Sequence, residues 1–295
     1  MRKISAARTA TEEKYGRCRA VLRICADLPQ SAAAPRFKKF EDIRLRDVGC
    51  SWSIVVRVDV KFPVQAHREI QHFILMDITG SKIEAIVRGT GISRFNMLLT
   101  QGCNYTVHEV RFQIENNVEF RNIDNPFECY FDNNTIVEPY TVPIQFPLYP
   151  RHTTSFSELE WCSNSTFVVG IVVHWGQLEY IGTFPDRKLY REVILMDKRR
   201  RLLVVGIWSK LLARHAISLP TAAANNQVIL GTMLRINHKH RCLETSDHTV
   251  FGFNPAHRAT DDLQSVRRLL ATKSIGLSFV NRFLEHRWAY LATVV

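Results

Sequence analysis

Residues 51–62, SWSIVVRVDVKF, alternate β-branched and polar side chains, the period-two pattern of a half-buried strand. REIQHFILMDITG (68–80) reads as a second strand ending at a glycine turn, and KIEAIVRG (82–89) as its hairpin partner. ISRFNMLL (92–99) carries apolar residues at helical spacing, with Gly102 as the expected helix C-cap. NYTVHEVRFQI (104–114) and EFRNIDNPFECYF (119–131) predict two more strands around a turn at Asn116 and Asn117.

The same order then returns. STFVVGIVVHW (165–175), KLYREVILMD (188–197) and RLLVVGIW (201–208) read as strands, and SKLLARHAISL (209–219) as a helix. QVILGTMLRINHKH (227–240) and CLETSDHTVFGF (242–253) close the second set. The tetrapeptide ILMD stands at Ile74–Asp77 and again at Ile194–Asp197, an offset of 194 − 74 = 120 residues. Five strands with a helix between the third and fourth is the order of an OB-fold barrel. The expectation is therefore an all-β chain with minor helix, built as two tandem five-stranded OB-fold barrels.

The expected boundaries are a mobile N-terminal arm (1–36), a first barrel (37–140), a linker (141–163), a second barrel (164–257) and a C-terminal helix with a divergent tail (258–295). The arm has room for one short helix near Tyr15–Asp27. The linker region is rich in proline and polar residues, as a flexible tether would be. In TDDLQSVRRLLATKS (260–274), Leu263, Val266, Leu269 and Leu270 fall on one helical face, suited to packing on the second barrel.

Charge changes the picture from fold to partner. The 295 residues hold 39 Lys and Arg against 28 Asp and Glu, a net charge of +11, which favours polyanions such as nucleic acid. No run of 18 apolar residues predicts a membrane span, and the first thirty residues lack the apolar stretch of a secretory signal. The seven cysteines are scattered and never form a CxxC pair, which argues for reduced thiols and against a disulfide framework or zinc ribbon. Cys242 with His238, His240 and His248 fits no standard zinc module, so no metal and no cofactor are expected. No Walker loop, HExxH or GxSxG motif supports an enzyme. The basic run Lys198, Arg199, Arg200 and Arg201 reads as a solvated turn, a phosphate contact or a nuclear address.

Longer stretches carry a resemblance. HFILMDITGSKIEAIVRG, GCNYTVHEVRF and NNTIVEPY are similar to the first single-strand-binding domain of the replication protein A large subunit. VVGIVVHWGQLEYIG, REVILMD, VGIW and RCLETSDHTVFGFNPAH are similar to the second, and the likeness spans about residues 38–272. It implies a nuclear, non-catalytic protein that binds single-stranded DNA without sequence preference in replication, repair or recombination. Aromatic stacking and Lys/Arg contacts to phosphate would supply the grip. Trp208 takes the stacking position at the end of the third strand of the second unit. The matching position in the first unit is Arg88, because 208 − 88 = 120. Phe120 takes the hairpin aromatic position of the first unit, and His238 or His240 that of the second. Trp175 and Tyr180 flank the first loop of the second unit, and Trp52 is expected to be structural.

Candidate phosphate or polar contacts are Lys61, Arg68, Arg111 and Arg121 in the first unit. In the second they are Lys188, Arg191, Lys210, Arg235, Lys239 and Arg241. Glu128 is a candidate acceptor for a base amine. The resemblance also allows other replication protein A subunits or repair proteins as partners. No counterpart of the family's cysteine-bearing third domain is evident, so trimer assembly is not expected. Two alternatives stay open: a protein–protein interaction module with decayed DNA binding, and a telomere-end single-strand binder.

Overall fold

The structure is a computed structural model that describes residues 35–115, 121–159 and 165–294. The expected N-terminal arm falls almost wholly outside the described residues, as do Phe120 and the Asn116–Asn117 turn.

The first unit contains β1 (Ser51–Lys61), β2 (Ile70–Asp77), β3 (Lys82–Arg88), α1 (Gly91–Leu98), β4 (Asn104–Ile114), β5 (Phe127–Phe131) and β6 (Ile136–Pro139). β1 pairs antiparallel with both β2 and β4, β3 pairs with β2 and runs parallel to β5, and β5 pairs with β4. The ring β1-β2-β3-β5-β4 therefore closes on itself, with β6 added beside β4. The second unit contains β7 (Ser165–Ile181), β8 (Lys188–Met196), β9 (Leu202–Trp208), α2 (Ser209–Arg214), α3 (Ser218–Ala224), β10 (Val228–Asn237), β11 (Cys242–Glu244) and β12 (Val250–Phe253). Its ring β7-β8-β9-β11-β10 closes the same way, with β12 beside β10. Both units are OB-fold barrels.

Alternation decides what lies inside. Ile54, Val56, Val58, Phe73, Leu75, Ile83, Ala85 and Val87 point into the first barrel, and Phe95 from α1 plugs its end. Val168, Val172, Val193, Leu195, Val205 and Ile207 do the same in the second, closed by Leu211, Leu212 and Leu219. The repeated ILMD has a local cause. The Asp77 carboxylate accepts from the amides of Thr79 (2.9 Å) and Ser81 (3.1 Å). The Asp197 carboxylate accepts from Arg199 (2.8 Å) and Arg201 (2.9 Å). Each aspartate ties the hairpin that follows its strand.

Several elements depart from expectation. α1 ends at Leu98, and Gly102 (φ +85°) sits instead in the turn before β4. Of the strand expected over 119–131, the described residues 121–126 are not strand and β5 begins at Phe127; Asn125 there donates to the Lys82 carbonyl. Residues 209–219 form two helices, broken where His215 leaves helical geometry. The stretch 242–253 is two strands with different neighbours, and β7 runs on to Ile181.

The C-terminal region holds α4 (Arg258–Asp261), α5 (Gln264–Ala271) and a long α6 (Ser278–Val294). Leu263, Val266, Leu270, Val280 and Leu284 cover the outward-facing Ile171, Ile194, Met196, Val204 and Leu230 of the second barrel. Leu269, expected on that face, is exposed.

Residues 37–295 make one compact body. The linker is pinned: the Arg151 amide donates to the Gly80 carbonyl (3.0 Å), and His257 Nε2 donates to the Pro150 carbonyl (2.9 Å). Val60, Ile74 and Ile123 of the first barrel meet Met233 of the second, with Phe62 and Phe167 packed alongside. Phe62 stacks edge-on against His248, ring centroids 4.6 Å apart. Lys82, paired with Asp59, lies 4.4 Å over the Phe167 ring. The barrels are thus packed against each other, not strung on a free tether.

Candidate nucleic-acid interface

The internal repeat brings the same strand end to the surface twice. Arg88 pairs with Ile70 across the β2–β3 ladder, and Trp208 pairs with Tyr190 across β8–β9. Arg68 and Lys188 share the offset, 188 − 68 = 120, so a cation stands at the entry of the second strand in both barrels.

In the second barrel this end opens into a cleft of about 440 Å³, lined among others by Lys188, Trp208, Lys210, Arg214, Arg235 and Asp247. Trp208 is held from three sides. Its amide donates to Thr245 Oγ1 (3.0 Å), and its indole Nε1 donates to Glu244 Oε2 (3.3 Å). Its ring centroid lies 4.7 Å from that of Tyr190. Tyr190 in turn lies across Gly206, where any side chain would collide with the phenol ring. Burial pushes the Tyr190 hydroxyl far above the usual phenol range. Lys210 pairs with Asp247 at 3.1 Å, an exposed contact worth little, and the lysine holds the Asp247 carboxyl below its usual range. Lys188 and Arg214 form no ion pair among the described residues, while Arg235 lies opposite Glu244 in the β10–β11 ladder and its charge also acts on Asp247.

The other second-barrel candidates lie elsewhere. The Arg191 guanidinium stacks 4.5 Å over the Trp175 ring, which itself packs on the barrel core. Arg191 Nε is buried there without a hydrogen-bond partner. Tyr180 is exposed under Arg187 (5.3 Å) on the β7–β8 hairpin. His238, Lys239, His240 and Arg241 form the β10–β11 turn, which α6 clamps. Tyr290 donates to the Lys239 carbonyl (2.7 Å), Arg287 to the His240 carbonyl (2.9 Å), and Arg241 lies 4.7 Å over the Tyr290 ring. Cys242 is buried, its thiol pushed up to about 12 by desolvation, while His248 faces Phe62. Among the described residues no group of three such side chains is placed to hold a metal. Lys198 pairs with Asp262 (3.5 Å) and Arg201 with Asp197 (2.6 Å), leaving Arg199 and Arg200 exposed at the turn.

In the first barrel Arg68 and Arg88 are exposed at the rim. Three sequence expectations need correction there. Lys61 Nζ donates to the Asn96 and Leu99 carbonyls and caps the end of α1. Arg121 turns back to donate to the Glu115 carbonyl (3.0 Å). Glu128 is 2% exposed, accepts from Gln113 (3.1 Å) and sits beside Glu84 in the ladder, so no base amine reaches it. Desolvation holds its carboxyl above the ordinary range. Arg111 is exposed, 4.0 Å from Asp132, and Trp52 packs on the core as expected. The outer face of β2 and β3 is covered. His72 meets Glu84 (2.6 Å), the Asn122 amide donates to the same carboxylate (2.9 Å), and Ile123 closes over Ile74 together with Met233.

Arg214 and Tyr190 were not read from the sequence. Arg214 follows Trp208 by less than two helical turns, the one signal that could have marked it.

Residues 44–159 match the model of a domain of unknown function, DUF223, and residues 154–244 that of another, DUF8448. No curated protein matches the chain. A replication protein A heterotrimer bound to single-stranded DNA is 22% identical with a TM-score of 0.40, over 77% of this chain and 54% of that one. The chain thus spans about half the length of that replication protein A chain. The OB domain of a Methanosarcina mazei protein is 21% identical (TM-score 0.31), over 42% of this chain and 100% of that one. DNA-binding domain A of S. cerevisiae replication protein A is 23% identical (TM-score 0.29), over 36% of this chain and 96% of that one. No helix among the described residues is long and apolar enough to cross a membrane.

Proposed function

We propose that this chain binds single-stranded DNA without catalysing a reaction, as a relative of the replication protein A large subunit. The observation that carries the reading is the second-barrel cleft, where one indole stands among Lys188, Arg214 and Arg235, of which Lys188 and Arg214 form no ion pair among the described residues. An unpaired base offers a flat face to Trp208, a contact worth about 1–3 kcal/mol. Its phosphates offer counter-charge to the three cations. Three neutralised phosphates at about −0.7 each give a salt slope near −2. The pathway served would be nuclear replication, repair or recombination, with repair proteins or other replication protein A subunits as further partners.

Fluorescence anisotropy of labelled oligo-dT at about 50 and 200 mM salt tests the reading. Binding that weakens with that slope supports it. No binding at the lower salt would overturn it in favour of a protein-interaction module, and a preference for a G-rich repeat over oligo-dT would favour a telomere-end binder.

A further inference from the structure

We propose that a nucleic-acid strand leaves Trp208 on the α2 side of the second barrel, over Arg214 and Arg235, and not beneath the β10–β11 hairpin. The proposal rests on the reading of Trp208 as a base-stacking residue and assigns the direction of the strand and one new contact, Arg214.

The two sides of the indole differ in charge and in openness. Toward the hairpin stand Glu244, which accepts from the indole nitrogen, and Glu192 on the adjoining strand. Glu192 is already held by Arg287, whose side chain is 5% exposed. The hairpin itself is tied to α6 through the carbonyls of Lys239 and His240. Further along that face the surface is apolar: Ile194, Met196 and Val204 lie under the C-terminal helices with at most 2% exposure. Lifting α6 would bare this apolar surface together with a carboxylate, which suits a polyphosphate poorly. Toward α2 the cleft is open and holds Lys188, Lys210 and Arg214 against a single acid, Asp247, with Arg235 lining its border opposite Glu244 in the β10–β11 ladder. Field and access point the same way, so the backbone follows α2.

The test measures the salt slope of oligo-dT binding for the full chain and for Arg214→Ala, Arg235→Ala and Lys239→Ala. All three side chains are exposed, so far-ultraviolet circular dichroism is expected to show unchanged folds. Loss of a phosphate contact lowers the slope by about 0.7 per contact. The α2 route predicts that drop for Arg214→Ala and Arg235→Ala, with Lys239→Ala indistinguishable from the parent. A drop for Lys239→Ala, or none for Arg214→Ala, overturns the route while leaving nucleic-acid binding intact. A parent chain that fails to bind at all removes the functional reading, and this inference with it.

Discussion

Arg287 and Glu192, 95 residues apart in the chain, meet as a two-pronged ion pair in which Arg287 Nε lies 2.8 Å from Glu192 Oε2. Both side chains are largely shielded from water, at 5% and 17% exposure. Removing one partner from such a pair strands a desolvated charge, at a cost of about 3–5 kcal/mol. Arg287→Ala is therefore expected to lower the urea midpoint strongly. Replacing both members with Glu192→Gln and Arg287→Met is expected to recover part of the loss. An Arg287→Ala midpoint equal to the parent's would show that the pair does not hold α6.

Trp208 is expected to report directly on a bound strand. Its ring is partly exposed, so oligo-dT should quench its fluorescence, and the part of the quench owed to Trp208 should vanish in Trp208→Ala. Trp208→Ala should weaken binding by about 5–150-fold, the equivalent of about 1–3 kcal/mol of lost stacking. Trp208→Phe should recover much of it. Equal affinity of the alanine variant and the parent in a titration would assign the tryptophan to packing alone.

Met233 is 2% exposed in the seam with Val60, Ile74 and Ile123. Its replacement by alanine should cost about 2–5 kcal/mol, as for buried methionines generally. Met233→Asp should go further and uncouple the barrels. Calorimetry is expected to show one unfolding transition for the parent and two for the aspartate variant. A single unshifted transition in the variant would mean that the seam carries no stability.

Glu128 gives a pH signature. Its folded pKa is raised above the unfolded value of 4.5, so the folded chain holds this proton more tightly. Stability from this group is complete below that unfolded value and is lost as pH climbs through the raised folded one. Glu128→Gln keeps an oxygen for Gln113 and removes the buried charge. It should stabilise the protein at pH 7 and give no gain near pH 4, measured by urea unfolding at both. A gain of equal size at both pH values would rule out titration of Glu128 as the cause.

Both barrels were legible because strand alternation and the ILMD repeat are local signals. Asp77 and Asp197 tie their own hairpins, so the motif and its structural reason lie within five residues. Lys188, Trp208, Lys210 and Arg235 are also legible in the sequence, and the structure brings them to one cleft. What alternation could not reveal was where a long side chain ends. Lys61 looks like any exposed strand lysine until α1 places its last carbonyls within reach. Arg191 falls on the inward face and finds Trp175 there. Glu128 became buried only because β5 threads between β3 and β4, a pairing set by tertiary topology. The C-terminal helices were half visible: Leu263, Val266 and Leu270 marked a face, but nothing local announced that α6 would reach back to Glu192.

The seam between the barrels has a practical consequence for dissection of the chain. A cut in the linker would leave Ile74 and Val60 on one fragment and Met233 and Phe167 on the other, each facing water. Fragments prepared along the obvious twofold repeat are thus expected to clump or to re-associate, and activity assigned to either half alone would describe a surface that the intact molecule keeps hidden.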